Sequence, residues 1–184
     1  VEHGDDRPHC IARPATPEQL AALLRLVATR VPLSVRAGGH STVCTSRPLV
    51  VDVRRFDQVR VDPEARTVTV QAGCTNRDVD DACAPHGLAV TLGNASTVGA
   101  VGAMLGGGVG FLARWSGLTI GARLAGRVVL ADGAVVDCDA DTRPDLFWAL
   151  RGGGGNFGVV VECVLRAVPV GWDARGRMFA GARV

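Results

Sequence analysis

"VRAGGHS", residues 35–41, places two glycines and a histidine straight after a short apolar run. Glycine at such a point either makes a turn or lets the main chain approach a ligand closely. Successive N–H groups at a glycine bend also form a concave cluster of donors that holds an anion without a cationic side chain. Glycines gather in two further places, Gly93 through Gly110 and Gly152 to Gly158. The chain has 24 glycines in 184 residues, about twice the usual frequency of ~7%. One such loop is explained by turn sterics alone. Three of them, each joining expected elements, are better explained by one extended ligand that carries phosphate.

The elements around these loops follow from local patterns. "TPEQLAALLRLVATR" has a Thr-Pro start and apolar residues at 20, 23, 24 and 27, which predicts an amphipathic helix. "PLSVRA" and "LVVDV" read as short strands on either side of the Gly-Gly-His loop. "QVRVDPEARTVTVQAG" alternates on both sides of Asp-Pro-Glu and predicts a β-hairpin. "TNRDVDDACAPHG" predicts a helix capped by Thr75 or Asn76 and closed by Gly87. "RVVLADGAVVDCD" predicts two strands around Asp132-Gly133, "PDLFWALRG" a short helix, and "GVVVECVLRAV" a strand buried over its first half. The last stretch, "GWDARGRMFAGARV", has no usable period. This order implies an α+β architecture of two closely packed lobes, residues 1–57 and 58–170, followed by a tail at 171–184.

Composition narrows the function. The net charge is +2, all 20 basic residues are Arg, and they are scattered among Asp, so no nucleic-acid partner is expected. No apolar run approaches the ~20 residues of a membrane helix, so no membrane partner is expected. The opening "VEHGDDRPHC" is unlike an export signal, which leaves the cytoplasm as the default compartment. The six cysteines form no CxxC pair and the four histidines lack zinc spacing, so no metal is expected. An even number of cysteines permits disulfides without requiring them. Cys138 and Cys163, in apolar runs, read as small buried residues. Gly153, Gly155 and Gly158 match G-x-G-x-x-G, but a helix precedes them and a strand follows, the inverse of a Rossmann turn. A Walker A loop needs Lys, and the chain has none.

Taken together, "PLSVRAGGHS", "STVGAVGAMLGGGVGFLARWSGLT" and "DLFWALRGGGGNFGVVVECVLRAVPV" resemble the FAD-binding domain of the vanillyl-alcohol oxidase/p-cresol methylhydroxylase (PCMH-type) superfamily, in particular its berberine bridge enzyme-like oxidoreductases. The resemblance runs from about Arg13 to Val170. It implies a PCMH-type fold with FAD between the two lobes. It makes Ala37, Gly38, Gly39, His40 and Ser41 the pyrophosphate loop, with His40 joined covalently to the flavin 8α-methyl. It places Ser96, Thr97, Val98, Gly99 and Gly102 along the diphosphate and flavin, and Gly158 and Val160 toward the adenine. From position alone, His40 is a solvated loop residue; the whole motif favours the flavin link. His86, beside Pro85 and Gly87, reads as an exposed helix end.

Two departures qualify the resemblance. Many relatives attach FAD a second time through a Cys in Gly-x-Cys-x-Thr-Val-Gly, and here Ala95 stands at that place, so a monocovalent flavin is expected. A His that often follows the next glycine pair is replaced by Ala103. Full-length relatives also continue into a substrate domain that supplies the pocket and often a Tyr base. This chain stops about where that domain would begin, and it has no Tyr. The implied function is an FAD-dependent oxidase taking hydride from an alcohol, sugar or similar secondary-metabolite substrate, with dioxygen as the final acceptor. The alternative is a stand-alone FAD-binding module or a truncated, catalytically incomplete flavoprotein.

Overall fold

The computed structural model describes residues 8–41, 44, 47–172 and 178–180. It opens with a three-stranded parallel sheet, made of β1 (Cys10–Ala12), β2 (Leu33–Arg36) and β3 (Leu49–Asp52) in the order β1-β3-β2. Helix α1 (Pro17–Val27) makes the crossover from β1 to β2. Its start is local chemistry: Thr16 caps it, accepting from Gln19 N at 3.3 Å, and Pro17 occupies the first turn, where a missing N–H costs nothing. Its Leu20, Ala21 and Leu24 are buried. The central strand β3 is buried along its whole length, as suits a parallel strand covered on both faces.

A hairpin of β4 (Val59–Asp62) and β5 (Thr67–Gln71) follows, then α2 (Asn76–Cys83) and the short β6 (Leu88–Ala89). Next come α3 (Ala100–Leu105), α4 (Ala113–Ser116) and a second hairpin of β7 (Arg123–Val129) and β8 (Val135–Asp139). The chain continues through α5 (Pro144–Ala149), β9 (Val159–Arg166), β10 (Val168–Trp172) and β11 (Met178–Ala180). Five of these strands form an antiparallel sheet in the order β4-β5-β9-β7-β8, with β9 inserted between the two hairpins. The burial of β9 does not stop at its midpoint: after the buried run at residues 159–161, Cys163 and Leu165 remain buried on one face, because the strand is central in the sheet, between β5 and β7. The stretch without sequence period contains strand: β10 and β11 pair antiparallel, and β10 also pairs with β6.

Leu20 of α1 and Val51 of the first sheet share one continuous apolar cluster with Val68, Val128 and Leu165 from the second. A buried cation sits at the edge of that cluster. Arg123 stacks 4.3 Å from the Phe147 ring centroid, and its Nη2 donates to Phe147 O. The contact ties the start of β7 to α5, and α5 leads directly into the third glycine stretch.

Candidate functional site

The first loop leaves the carboxyl edge of the parallel sheet, where ligands of such sheets commonly bind. Each strand ends in or beside an arginine, and the three guanidinium groups converge on one buried carboxylate. Asp52 is only 1% exposed. Arg54 clamps it with Nη2–Oδ2 at 2.6 Å and Nε–Oδ1 at 2.9 Å, while Arg13 Nε lies at 3.4 Å and Arg36 Nη1 at 3.8 Å. Hydrogen bonding from Arg54 holds the Asp52 carboxyl below its ordinary range, against the opposing effect of burial. Arg36 in turn lies beside Gly39, whose φ of +80° is a left-handed turn. Three cations against one anion leave a local positive excess, of which Arg36 is the member beside the first loop.

The second loop, residues 93–99, is tied to the start of α2. Thr75 and Asp78 form a reciprocal capping box, which sets the helix start at Asn76. Asn76 is therefore not the cap. Its Nδ2 donates to Gly93 O and to Ala95 O, each at 3.0 Å, while its backbone N donates to Val98 O at 2.9 Å. Those bonds hold the loop where Gly99 meets Gly38. They also bring Thr97 Oγ1 to 3.0 Å from His40 Nε2. The third loop follows α5 and is pinned by Gly154 N donating to Leu105 O at 3.3 Å. Gly158, at φ +140°, packs against Val129 O with no room for a side chain.

These loops border a groove of about 660 Å³, within the ~300–1,000 Å³ of ligand sites. Ala37, Gly38, Gly39, His40 and Ser41 line it, as do Val98, Gly99, Gly102, Gly158 and Val160. Ser96 and Thr97 do not; Ser96 accepts from Arg77 N through its backbone, and Thr97 reaches the site through His40. The groove also takes in Ala103, noted above as a departure from the resemblance, and Cys44, Arg47 and Asn156, which no sequence pattern singles out. Cys44 and Arg47 follow the histidine at a distance no motif specifies, and Asn156 is embedded in a run read only for its glycines. His86 is exposed and stands outside the groove.

The donor set suits an anion. The backbone N–H groups of Gly38, Gly39, His40 and Ser41 have no hydrogen-bond partner among the described residues, and all four residues border the groove. A Cβ on Gly102 would meet nothing within 4 Å, so packing does not account for that glycine. The buried thiols offer no competing chemistry. Burial pushes Cys74 and Cys83 up to about 11 and Cys163 up to about 12, and all six cysteines are free. Ala95 is exposed and carries only a methyl group.

A cleft rimmed by unpaired main-chain donors, at the edge of a small parallel sheet, defines a domain that takes a phosphate-bearing cofactor. The chain belongs to the FAD binding domain family, whose model matches residues 8–139. It is 45% identical over 141 residues to the FAD-linked oxidoreductase pgmH of Aspergillus terreus, covering 74% of this chain and 29% of that protein. Its fold matches 6-hydroxy-D-nicotine oxidase from Arthrobacter nicotinovorans with a TM-score of 0.86 and 33% identity, over 91% of this chain and 38% of the other. It also matches the glucooligosaccharide oxidase of Acremonium strictum, described with a 6-S-cysteinyl, 8α-N1-histidyl FAD, at a TM-score of 0.80 and 32% identity, over 90% and 38%. The chain spans about a third of the length of the curated relatives it matches.

Proposed function

We propose that this chain is the FAD-binding domain of an oxidase-type oxidoreductase and that His40 is the point of covalent flavin attachment. The observation that carries this reading is the loop at 38–41: four consecutive N–H donors with no partner among the described residues, beside the groove, with the imidazole of His40 among the residues that line it. Gly38, Gly39, His40 and Ser41 hold the diphosphate through main-chain donors, and the Arg36 guanidinium beside Gly39 adds a positive charge next to that loop. Val98, Gly99 and Gly102 present bare backbone and small side chains along the groove, and Gly158 and Val160 border its other side. With Ala95 in place of a second attaching thiol, the linkage is single.

Bound FAD supplies two-electron chemistry, accepting hydride from substrate and passing electrons to dioxygen. The substrate class we favour is an alcohol, sugar or related small molecule, as the names of the relatives suggest. Their activities belong to chains about two and a half times as long, so the part of the function assigned to these residues is holding and orienting the flavin.

The test is direct. The chain is purified with FAD, precipitated in acid and washed. Yellow colour and flavin fluorescence are expected to stay with the polypeptide, and to be lost in His40→Ala. Complete release of flavin from the wild-type chain overturns the covalent assignment; failure to bind FAD at all overturns the cofactor assignment.

A further inference from the structure

We propose that Thr97 is the positioning residue for His40: its hydroxyl holds Nε2, fixes the ring orientation and sets the tautomer in which Nδ1 carries the reactive lone pair. This deepens the reading above and rests on it. The contact between Nε2 and Oγ1 is 3.0 Å, and it is the side-chain hydrogen bond His40 makes among the described residues. In a neutral imidazole the proton sits on whichever nitrogen donates, so a partner on one nitrogen decides the state of the other.

A hydroxyl can accept from Nε2–H or donate to a bare Nε2. Acceptance leaves Nδ1 unprotonated, while the hydroxyl proton turns to solvent, since both residues are exposed. Donation would put the proton on Nδ1 and leave the nitrogen away from Thr97 without a lone pair. In the second arrangement the lone pair is on Nε2 and taken up by Thr97, so only the first leaves a nucleophile at Nδ1.

The contact is not a chance meeting of two surface side chains. Thr97 lies in a segment held by Asn76, through Gly93 O, Ala95 O and Val98 O, and by Arg77 N through Ser96 O. Its own carbonyl oxygen lies 2.8 Å from where a Cβ on Gly38 would stand, two residues before His40. The segment that carries Thr97 is therefore held by α2 and packs main chain to main chain against Gly38, two residues before His40. Thr97 itself does not line the groove, whereas His40 does, so the bond draws Nε2 toward the wall.

The chemistry balances around this arrangement. The Nδ1 lone pair forms the new carbon–nitrogen bond as one 8α C–H proton leaves. The C–H electron pair enters the flavin ring, the Nε2 proton passes by way of the Thr97 hydroxyl to water, and dioxygen removes two electrons and two protons as hydrogen peroxide. Nothing else is consumed.

The experiment compares the wild-type chain with Thr97→Val, which removes the hydroxyl at nearly constant volume, and Thr97→Ser, which keeps it. The chains are produced under flavin starvation, and circular dichroism confirms folding. Nitrogen-15 NMR of His40 at alkaline pH is expected to show the Nε2–H tautomer in wild type and Thr97→Ser, and a loss of that preference in Thr97→Val. After FAD is added, acid-stable flavin should form in Thr97→Val at a rate lower by on the order of tenfold or more. Non-covalent FAD affinity should stay within about twofold, and Thr97→Ser should restore the rate. Attachment through Nε2, an Nδ1–H tautomer in the wild type, or an unchanged rate in Thr97→Val overturns the role of Thr97. A wild-type chain that shows the Nε2–H tautomer and binds FAD but never attaches it overturns the covalent reading of His40 instead, and with it any need for Thr97 to position the ring.

Discussion

Gly38 and Gly99 meet main chain to main chain. A Cβ on Gly38 would overlap Gly99 N, and one on Gly99 would lie 2.9 Å from Gly38 N. Neither position has space for a methyl group, and the atoms in the way are backbone, which cannot rotate aside. This contact joins the loop after β2 to the loop before α3 and sets the separation of the two walls of the groove. It is also why His40 and Thr97 stand within hydrogen-bond distance.

Gly38→Ala is expected to force these loops apart and cost about 1–3 kcal/mol, as overpacking does elsewhere. Gly102→Ala is the contrasting case, since a Cβ there meets nothing within 4 Å and a helix gains up to ~1 kcal/mol from losing a glycine. Thermal melting should fall in the first variant and hold or rise in the second. FAD titration should show weakened binding in both, by loop displacement in one and by a methyl group in the groove in the other.

Asp52→Asn removes the charge around which Arg13, Arg36 and Arg54 gather. A loss of about 1.5–3 kcal/mol is expected at pH 7, the range for hydrogen bonds to a charged group, with the half-exposed arginines relieved by water. The Asp52 carboxyl is held below its ordinary value, chiefly by the Arg54 hydrogen bond. It therefore stabilises the fold above the unfolded value near ~4 and gives that contribution up as pH falls through the folded value. Urea unfolding from pH 7 down to pH 3 should show the wild type and variant converging at the acid end. A constant difference would assign the effect to packing.

Asn76→Ala removes two bonds from one amide nitrogen and leaves Gly93 O and Ala95 O without that donor. A cost of about 1–3 kcal/mol is expected, set against ~1 kcal/mol for losing the helix cap in Thr75→Ala. The two differ functionally as well. Denaturant midpoints should drop in both, whereas FAD affinity should fall much further in Asn76→Ala, because the Asn76 side chain bonds the loop while the Thr75 side chain bonds only Asp78.

Alkylation separates the thiols. Cys10 is exposed, while Cys74, Cys83 and Cys163 are buried and pushed to about 11, 11 and 12, so at pH 8 they hold almost no thiolate. Mass spectrometry after brief iodoacetamide treatment should find the first adduct at Cys10 and none on these three until the chain is unfolded. Cys44 lines the groove, and its labelling should slow when FAD is added. Equal labelling of Cys44 with and without FAD would place the cofactor elsewhere.

Local signals decided most of the secondary structure. α1 and α2 carry their own caps in Thr16 and Thr75, and both hairpins carry alternation and turn residues, so neighbours within a few positions suffice. α3 and the β10–β11 pair were not legible in that way. α3 has no side-chain cap and contains Gly102; it is helical because Val101, Met104 and Leu105 bury against the sheet. β10 is a strand because β6 lies beside it, with Val170 N donating to Gly87 O. The same distinction applies at the site. The glycine loops and His40 stand out along the chain, but Asn76 reads only as one of two candidate helix caps, and Asp52 carries no signal of its own within the strand LVVDV. Their partners lie on other segments, and no local pattern names them.

The sequence by itself determined the order of helices and strands, the three bare-backbone stretches and the imidazole after the first of them, since each depends on residue type and near neighbours. Tertiary structure alone decided that those stretches share one groove, that Asp52 gathers three arginines, and that a threonine far along the chain faces His40. Those facts depend on which distant backbones exclude side chains from the space between them, and that exclusion exists only once the sheets have packed.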